Sequence, residues 1–211
     1  MSKKKYIPLP KINPSFIKKQ GYFLLFETSL FDKDNYHSYI LSSPCNIIKA
    51  KSYDEIVPAF ARIDSYAKKK FLAGYFSYEL GYFFENDKAR KSSKFPLINL
   101  GVFDEVSVFN HKTGRLNKGN KELFSQGGEG DSFSFSKTGF SFTENEYASK
   151  VLRIKEYIRQ GDTYQVNFTG RYNFKFLGSA WAFYQELKRQ QPVGYSSFCK
   201  LGDEYLISLS P

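Results

Sequence analysis

The feature that most constrains the fold is a stretch of eleven residues, 166–176, in which apolar and polar side chains alternate. The apolar positions are Val166, Phe168, Tyr172, Phe174 and Phe176, with Gly170 on the same face. Successive side chains of a β-strand point to opposite faces of a sheet, so this period of two predicts one long, half-buried strand. A glycine inside such a strand predicts a bend or bulge. The chain must therefore build a sheet with one covered face.

Helices and further strands are predicted on both sides of this segment. Thr143 and Glu146 form a capping box before an apolar stripe that ends at Gly161, and Ser52 and Glu55 form another before a helix of about residues 53–69. Ser179 is the expected N-cap of a third helix. Short apolar runs predict strands at 22–26, 39–41, 47–48, 71–85 (buried, leading into a tight turn), 98–109, 195–198 and 205–209. The predicted fold class is α+β with mostly antiparallel sheets and packed helices.

Residues 117–136 are the best candidate for a boundary. They contain Gly119, Gly127, Gly128 and Gly130 among Ser, Lys and Glu, with little periodicity. Such composition is typical of a loop or linker. We therefore predict one domain at residues 1–140 and the start of a second at residues 141–211.

The net charge of +10 raises the question of a nucleic-acid partner. The positive side chains cluster at the N-terminus, at a helix end and in a loop: Lys3, Lys4, Lys5, Lys11, Lys18, Lys19, Lys68, Lys69, Lys70, Lys88, Arg90, Lys91 and Lys94. A nucleic-acid reader would place them on one face, interleaved with aromatic side chains or a recognition helix. We interpret them as a solvated basic surface. Attraction of a small polyanionic substrate is the weaker alternative.

Several other classes of protein are disfavoured because the sequence lacks the motifs that define them. Cys45 and Cys199 are far apart and form no C-x-x-C pair, so neither a zinc site nor a disulfide framework is predicted, and both thiols are expected to be buried. His37 and His111 lie in polar, loop-like contexts without a nucleophile motif, which disfavours a hydrolytic triad. No apolar run approaches the roughly 20 residues of a membrane-spanning helix, and no signal peptide is recognisable, so a cytoplasmic location is expected.

Four segments resemble one family, and they follow its order along the chain. Residues 161–169, GDTYQVNFT, resemble the G-D-x-Y-Q-x-N strand of chorismate-utilising enzymes. Residues 192–198, PVGYSSF, and 207–211, ISLSP, are similar to that family's P-x-P-Y segment and to the opening of its S-P-E motif. Residues 74–79, GYFSYE, resemble a strand of the N-terminal domain. The family comprises component I of aminodeoxychorismate (para-aminobenzoate) synthase and of anthranilate synthase, and Asn167 together with residues 74–79 favours the aminodeoxychorismate branch.

The resemblance implies an anthranilate synthase component I-like fold and an amination reaction. In that reaction ammonia from a glutamine amidotransferase subunit displaces the 4-hydroxyl of chorismate to give 4-amino-4-deoxychorismate, with Mg²⁺ holding the substrate. The family's Mg²⁺-binding and catalytic positions lie beyond the S-P-E motif, whereas this sequence ends at Pro211. We therefore expect a C-terminally incomplete fold, no catalytic or metal-binding residue in this chain, and no activity from it alone.

The resemblance also implies a tryptophan pocket. Its candidate residues are Glu27 and Thr28, from the segment LLFET at 24–28, and Pro192 and Tyr195. Glu27 would accept a hydrogen bond from the ligand's amino group, and Tyr195 would pack on the indole. The alternative is that Glu27 is a surface carboxylate and Tyr195 ordinary core. Anthranilate synthase component I and a non-catalytic module that binds tryptophan or a partner are the alternative functions.

Overall fold

The computed structural model describes residues 6–30, 32–85, 94–118, 121–124 and 132–210. The chain forms two compact units, one of residues 1–130 and 180–211 and the other of residues 131–179. The predicted domain boundary at residue 140 concerns family domains and stays a prediction. The following predicted features lie outside the described residues: Lys3, Lys4, Lys5, Lys88, Arg90, Lys91, Gly119, Gly127, Gly128, Gly130 and Pro211.

The larger unit contains a six-stranded antiparallel sheet. Its strands are β1 (Tyr22–Glu27), β2 (His37–Ser42), β6 (Ser107–Asn110), β7 (Arg115–Leu116), β10 (Tyr195–Leu201) and β11 (Glu204–Ser210). Their order across the sheet is β11-β10-β1-β2-β6-β7. The apolar run of β1 is buried on both faces, because helices pack on one face of the sheet and a second sheet of the same unit packs on the other.

A second, three-stranded sheet of the same unit is formed by β3 (Asn46–Ala50), β5 (Ile98–Phe103) and β4 (Phe71–Phe76), in that order. The predicted strand at 98–109 is therefore wrong as a single element, because β5 and β6 belong to different sheets. The break falls at Asp104 and Glu105, two exposed acidic residues. The predicted strand after residue 71 is present as β4, but the prediction that it is buried is wrong, since β4 is an edge strand with exposed Phe71 and Phe76.

Helices cover both sheets of this unit. They are α1 (Pro14–Lys19), α2 (Ile56–Ala67), α3 (Gly81–Phe84) and α5 (Ala180–Gln190), with 3₁₀ turns at Tyr53–Glu55, Tyr78–Leu80 and Lys121–Phe124. The Ser52 and Glu55 capping box is present, as predicted. Among the described residues no helix is long and apolar enough to cross a membrane.

Three apolar clusters form the core of the larger unit among the described residues. One joins α1 and α5 to one face of the six-stranded sheet through Phe16, Phe23 and Tyr184. A second lies under α2 on the three-stranded sheet. The third lies between the sheets, where Leu24 and Phe103 pack together. Cys199 is buried here as expected, but Cys45 is exposed, contrary to the prediction.

The smaller unit consists of β8 (Phe133–Phe140), α4 (Glu144–Gln160) and β9 (Tyr172–Gly178), with β8 and β9 antiparallel. Both bonds of the Thr143 and Glu146 capping box are present, and Gly161 ends the helix in the left-handed conformation, as predicted.

The long strand predicted at 166–176 is wrong in its first half, because β9 begins only at Tyr172. The partner strand β8 ends opposite that residue, where the Ser141 amide donates to the Arg171 carbonyl and the Ser141 hydroxyl accepts from the Arg171 amide. Residues 166–171 therefore extend past the end of β8.

Candidate functional site

Two segments that are more than 160 residues apart in sequence lie side by side in the six-stranded sheet. Strand β1 pairs antiparallel with β10, and Glu27 lies opposite Ser196. This register brings residues 24–28 next to residues 192–198. Three of the four predicted site residues, Glu27, Thr28 and Tyr195, line one pocket of about 230 Å³.

The pocket combines aromatic rings with polar groups. Its aromatic lining is Phe26, Tyr39 and Tyr195, and its remaining lining residues are Glu27, Thr28, Asn35, His37, Gly194, Ser196, Ser197, Ser208 and Ser210. Tyr195 is 65% exposed, so its ring is a wall of the pocket and not part of the core. A small ligand with an aromatic part and a hydrogen-bonding part suits this lining.

Glu27 is not a surface carboxylate, because only 4% of the residue is exposed. Both of its carboxylate oxygens lie 3.0 Å from the Lys188 ammonium. The Tyr184 hydroxyl donates to Oε2 at 2.8 Å, and the Ser196 hydroxyl donates to the Glu27 carbonyl oxygen at 2.8 Å. Burial, together with the charge of Glu27, raises the pKa of Tyr184, so this hydroxyl stays a neutral donor.

The Glu27 carboxylate and the Tyr195 ring point to opposite faces of the sheet. Side chains alternate along a strand, and Glu27 lies opposite Ser196, the neighbour of Tyr195. The carboxylate reaches Tyr184 on α5, in the cluster on the helix-covered face. Phe26, next to Glu27, packs against the cluster between the two sheets. Glu27 therefore borders the pocket while its carboxylate faces α5.

Thr28 anchors the loop that closes the pocket. Its hydroxyl lies 2.8 Å from Asn35 Oδ1 and 2.9 Å from the His37 carbonyl oxygen, both of which are acceptors. The Asn35 amide in turn donates to the Gly194 carbonyl at 2.6 Å. These bonds hold the loop after β1 against the segment that leads into β10.

Pro192 has a different position from the other three predicted residues. It is exposed and, within the described part of the chain, does not belong to the pocket lining. Its neighbour Val193 is buried and holds the segment in place. The Val193 carbonyl accepts from the amides of Ser29 and Leu30, and the Val193 amide donates to the Ser29 hydroxyl.

A buried histidine supports the same loop. The Thr28 amide donates to the Ser38 hydroxyl, whose oxygen lies 2.7 Å from His111 Nε2. His111 Nδ1 lies 2.8 Å from the Ile7 carbonyl, which can only accept, so Nδ1 carries the proton and Nε2 accepts from Ser38. Burial lowers the pKa of His111, which favours this neutral form. The expected loop-like context is confirmed for His111, which is buried in the turn after β6, but it is wrong for His37, which is the first residue of β2.

Sequence reasoning missed Lys188, Tyr184, Asn35 and His111. Tyr184 and Lys188 are four residues apart on α5, a spacing that puts them on one helix face, and this was the available signal. No local sequence feature indicates that this helix face packs against Glu27.

The described residues contain no group of three or more His, Cys, Asp or Glu side chains that could hold a metal ion. They do not fit a Mg²⁺ site, and no reaction step is assigned to Mg²⁺ here.

The amino-acid sequence of the chain matches a known family. Residues 28–211 match the family of chorismate binding enzymes, which is most of the chain. The chain therefore belongs to this family, and the resemblance found in the sequence is confirmed.

Both branches of the family occur among the curated relatives. Anthranilate synthase component 1 of Saccharolobus solfataricus is 31% identical over 144 residues, which are 66% of this chain and 34% of the relative. Aminodeoxychorismate synthase component 1 is 27% identical over 150 residues in Klebsiella aerogenes and 26% in Escherichia coli, in each case 65% of this chain and 33% of the relative. The chain thus spans about a third of the length of the relatives it matches.

Proposed function

We propose that this chain is the N-terminal part of an aminodeoxychorismate synthase component 1. The family match over residues 28–211 supports a chorismate binding enzyme, and Asn167 together with residues 74–79 favours the aminodeoxychorismate branch. In the proposed reaction ammonia adds to chorismate, the 4-hydroxyl leaves, and 4-amino-4-deoxychorismate forms, a precursor in folate synthesis. A glutamine amidotransferase subunit supplies the ammonia in the cytoplasm, and Mg²⁺ is held by family positions beyond those present here.

The proposed role of the present residues is structural and, at the pocket, ligand-binding. Strands β1, β10 and β11 supply the sheet that residues beyond 211 would extend. Among the strands that the structure describes, β11 lies at the edge of this sheet and pairs only with β10. The charge of the chain is positive, which favours the approach of the dianionic chorismate. The chain alone is expected to be inactive.

Product analysis tests this proposal. The purified 211-residue chain is incubated with chorismate, ammonium, Mg²⁺ and an amidotransferase component, and products are separated and identified by mass spectrometry. In parallel, the DNA that follows codon 211 is sequenced, and any longer reading frame is expressed and assayed in the same way. We expect no product from the chain alone and 4-amino-4-deoxychorismate from the longer protein. Anthranilate as the product would identify the other branch, which the 31% identical relative represents.

A second proposal concerns the pocket, which we propose binds a small aromatic amino acid such as tryptophan. Tyr39 and Tyr195 can pack on the ring, while Thr28 and Asn35 border its polar side. The carboxylate of Glu27 faces α5 and is paired with Lys188, so Glu27 borders this pocket but is not the acceptor for the ligand's amine.

Calorimetry of the 211-residue chain with tryptophan tests the pocket proposal. We expect a saturable heat that Tyr195→Ala weakens at least about tenfold, since a ring contact contributes about 1 kcal/mol or more beyond its buried area. Tyr205→Ala is the matched control, because Tyr205 is a half-exposed tyrosine of the neighbouring strand outside the pocket lining. Absence of heat at millimolar tryptophan would remove the proposal.

A further inference from the structure

The segment that leads into α1, residues 6–12, is bound to the turn after β6 through His111, and we call this segment the N-terminal strap. It forms neither helix nor strand. The Ile7 amide donates to the His111 carbonyl at 3.1 Å, and His111 Nδ1 donates to the Ile7 carbonyl at 2.8 Å. The Tyr6 ring stacks on the imidazole, with ring centres 5.1 Å apart and an angle of 10° between the planes. The strap thus covers one face of the imidazole.

The same histidine connects the strap to the loop after β1. The His111 amide donates to the Tyr36 carbonyl at 2.9 Å. On the other side of the ring, Nε2 accepts from the Ser38 hydroxyl, whose oxygen accepts from the Thr28 amide. His111 and Ser38 are both fully buried. The strap, the imidazole and the loop therefore form one chain of hydrogen bonds, in which the hydroxyl and Nδ1 each have an acceptor.

A proton on His111 would break this chain at Ser38. Nε2 of a protonated imidazole donates and no longer accepts, so the Ser38 hydroxyl loses the acceptor for its hydrogen in a buried position. The new charge would lie between the stacked Tyr6 ring and the edge-on Phe109 ring, away from water. Both changes disfavour the closed arrangement. Movement of the strap relieves them, because it returns the imidazole to solvent.

The charged groups around His111 lie on three elements of the six-stranded sheet and its helices. Burial is the largest effect and lowers the pKa of His111. The charges of His37 on β2 and Lys188 on α5 act in the same direction, whereas Glu27 on β1 opposes them. On the strap itself, burial and the charge of Glu27 raise the pKa of Tyr6 to about 12, so its hydroxyl stays neutral. Glu27 is already paired with Lys188, which leaves burial to decide the direction.

We propose that residues 6–12 are an acid-released strap, which neutral His111 holds against the sheet and protonated His111 releases. Above pH 6.5 the imidazole is neutral whether the strap is bound or released, and the strap stays bound. As the pH falls below this value the released form takes up the proton first, so the released fraction grows. Release also removes the support of the loop after β1. This inference does not depend on the proposed synthase activity or on tryptophan binding.

Nuclear magnetic resonance of the 211-residue chain tests the proposal. The amide resonance of Ile7 reports the strap, and the ring protons of His111 report the charge, both followed from about pH 8 to about pH 5. We expect the Ile7 amide to move to the position of an unstructured chain with the same midpoint as the His111 ring. The Leu100 amide, on β5 of the three-stranded sheet, should not move, because the release is local. Loss of the Leu100 resonance together with that of Ile7 would show global unfolding and overturn the proposal.

The two histidines of the chain provide matched variants. His111→Gln cannot take up the proton, so its Ile7 amide should not respond to pH in this range. His37→Gln should keep the response with a higher midpoint, because the charge of His37 opposes protonation of His111. A response that persists in His111→Gln, or an Ile7 amide that does not move while the His111 ring titrates, would overturn the proposal. If His111→Gln does not fold, His37→Gln decides: midpoints of the remaining ring and of the Ile7 amide that differ by more than about half a pH unit would overturn it.

Discussion

Substitution of Gly74 by alanine should force apart strands β4 and β5 of the three-stranded sheet. Gly74 lies in β4 opposite Leu100 of β5, with φ at +154°, a conformation that other residues rarely adopt. An added Cβ would lie 2.1 Å from the Asn99 carbonyl oxygen and 2.9 Å from the Leu100 Cα. Both are backbone atoms, so relief requires that β4 and β5 move apart by about 1 Å in a close-packed interior.

The cost of Gly74→Ala follows from these two effects. Overpacking typically costs about 1–3 kcal/mol and a strained backbone conformation a further 1–3 kcal/mol. The movement also displaces Asn99, which is fully buried, accepts from the Tyr22 hydroxyl of β1 and donates to Glu204 of β11. Since Asn99 links the two sheets in this way, we expect the free energy of unfolding to fall by about 2–6 kcal/mol.

Fluorescence of Trp181 during urea unfolding measures this change. Trp181 is the single tryptophan of the chain and packs against Phe23 and Phe198 in the core of the larger unit, so its emission reports unfolding of that unit. The matched control is Gly81→Ala, at the start of α3, where an added Cβ meets no atom within 4 Å. It should leave stability unchanged or raise it by about 0.5–1 kcal/mol. A Gly74→Ala midpoint equal to that of the natural chain would refute the steric reasoning.

Three further predictions concern other elements. Burial lowers the pKa of His111 from 6.5, so the free energy of unfolding should be unaffected by His111 above that pH and should decrease as the pH falls through it. Trp181 fluorescence during urea unfolding should show this decrease. The same decrease in His111→Gln would contradict its assignment to His111. Lys137 in β8 has φ at 53°, so Lys137→Gly should stabilise the protein by about 1 kcal/mol in thermal melts. Lys175→Gly, on the paired strand β9, should destabilise it. Thr143→Ala removes the N-cap of α4 and should lower the free energy of unfolding by about 1 kcal/mol, measured by circular dichroism. Thr143→Ser keeps the capping hydroxyl and should retain the natural stability.

The elements that could be predicted from sequence are those with a local cause. A capping box needs only residues three apart, and the boxes at Ser52 and Thr143 both formed as predicted. The α+β class with antiparallel sheets was likewise predicted, since several short strands were separated by turn residues.

The wrong boundaries have a non-local cause. Alternation at residues 166–171 is as regular as at 172–176, but a strand exists only where a partner strand is available, and β8 ends opposite Tyr172. Periodicity describes which face of a strand is apolar. It does not describe how long the neighbouring strand is.

The candidate site shows the same limit in chemical terms. The apolar strand YFLLFE ends in a carboxylate, and a buried carboxylate requires a cation. Sequence could therefore predict that Glu27 needs a positive partner if it is buried, but the chain offers 31 lysine and arginine residues. The choice of Lys188 follows from two facts that only the fold supplies: α5 covers the face of the sheet to which Glu27 points, and Tyr184, one turn before Lys188, is already bonded to the same carboxylate.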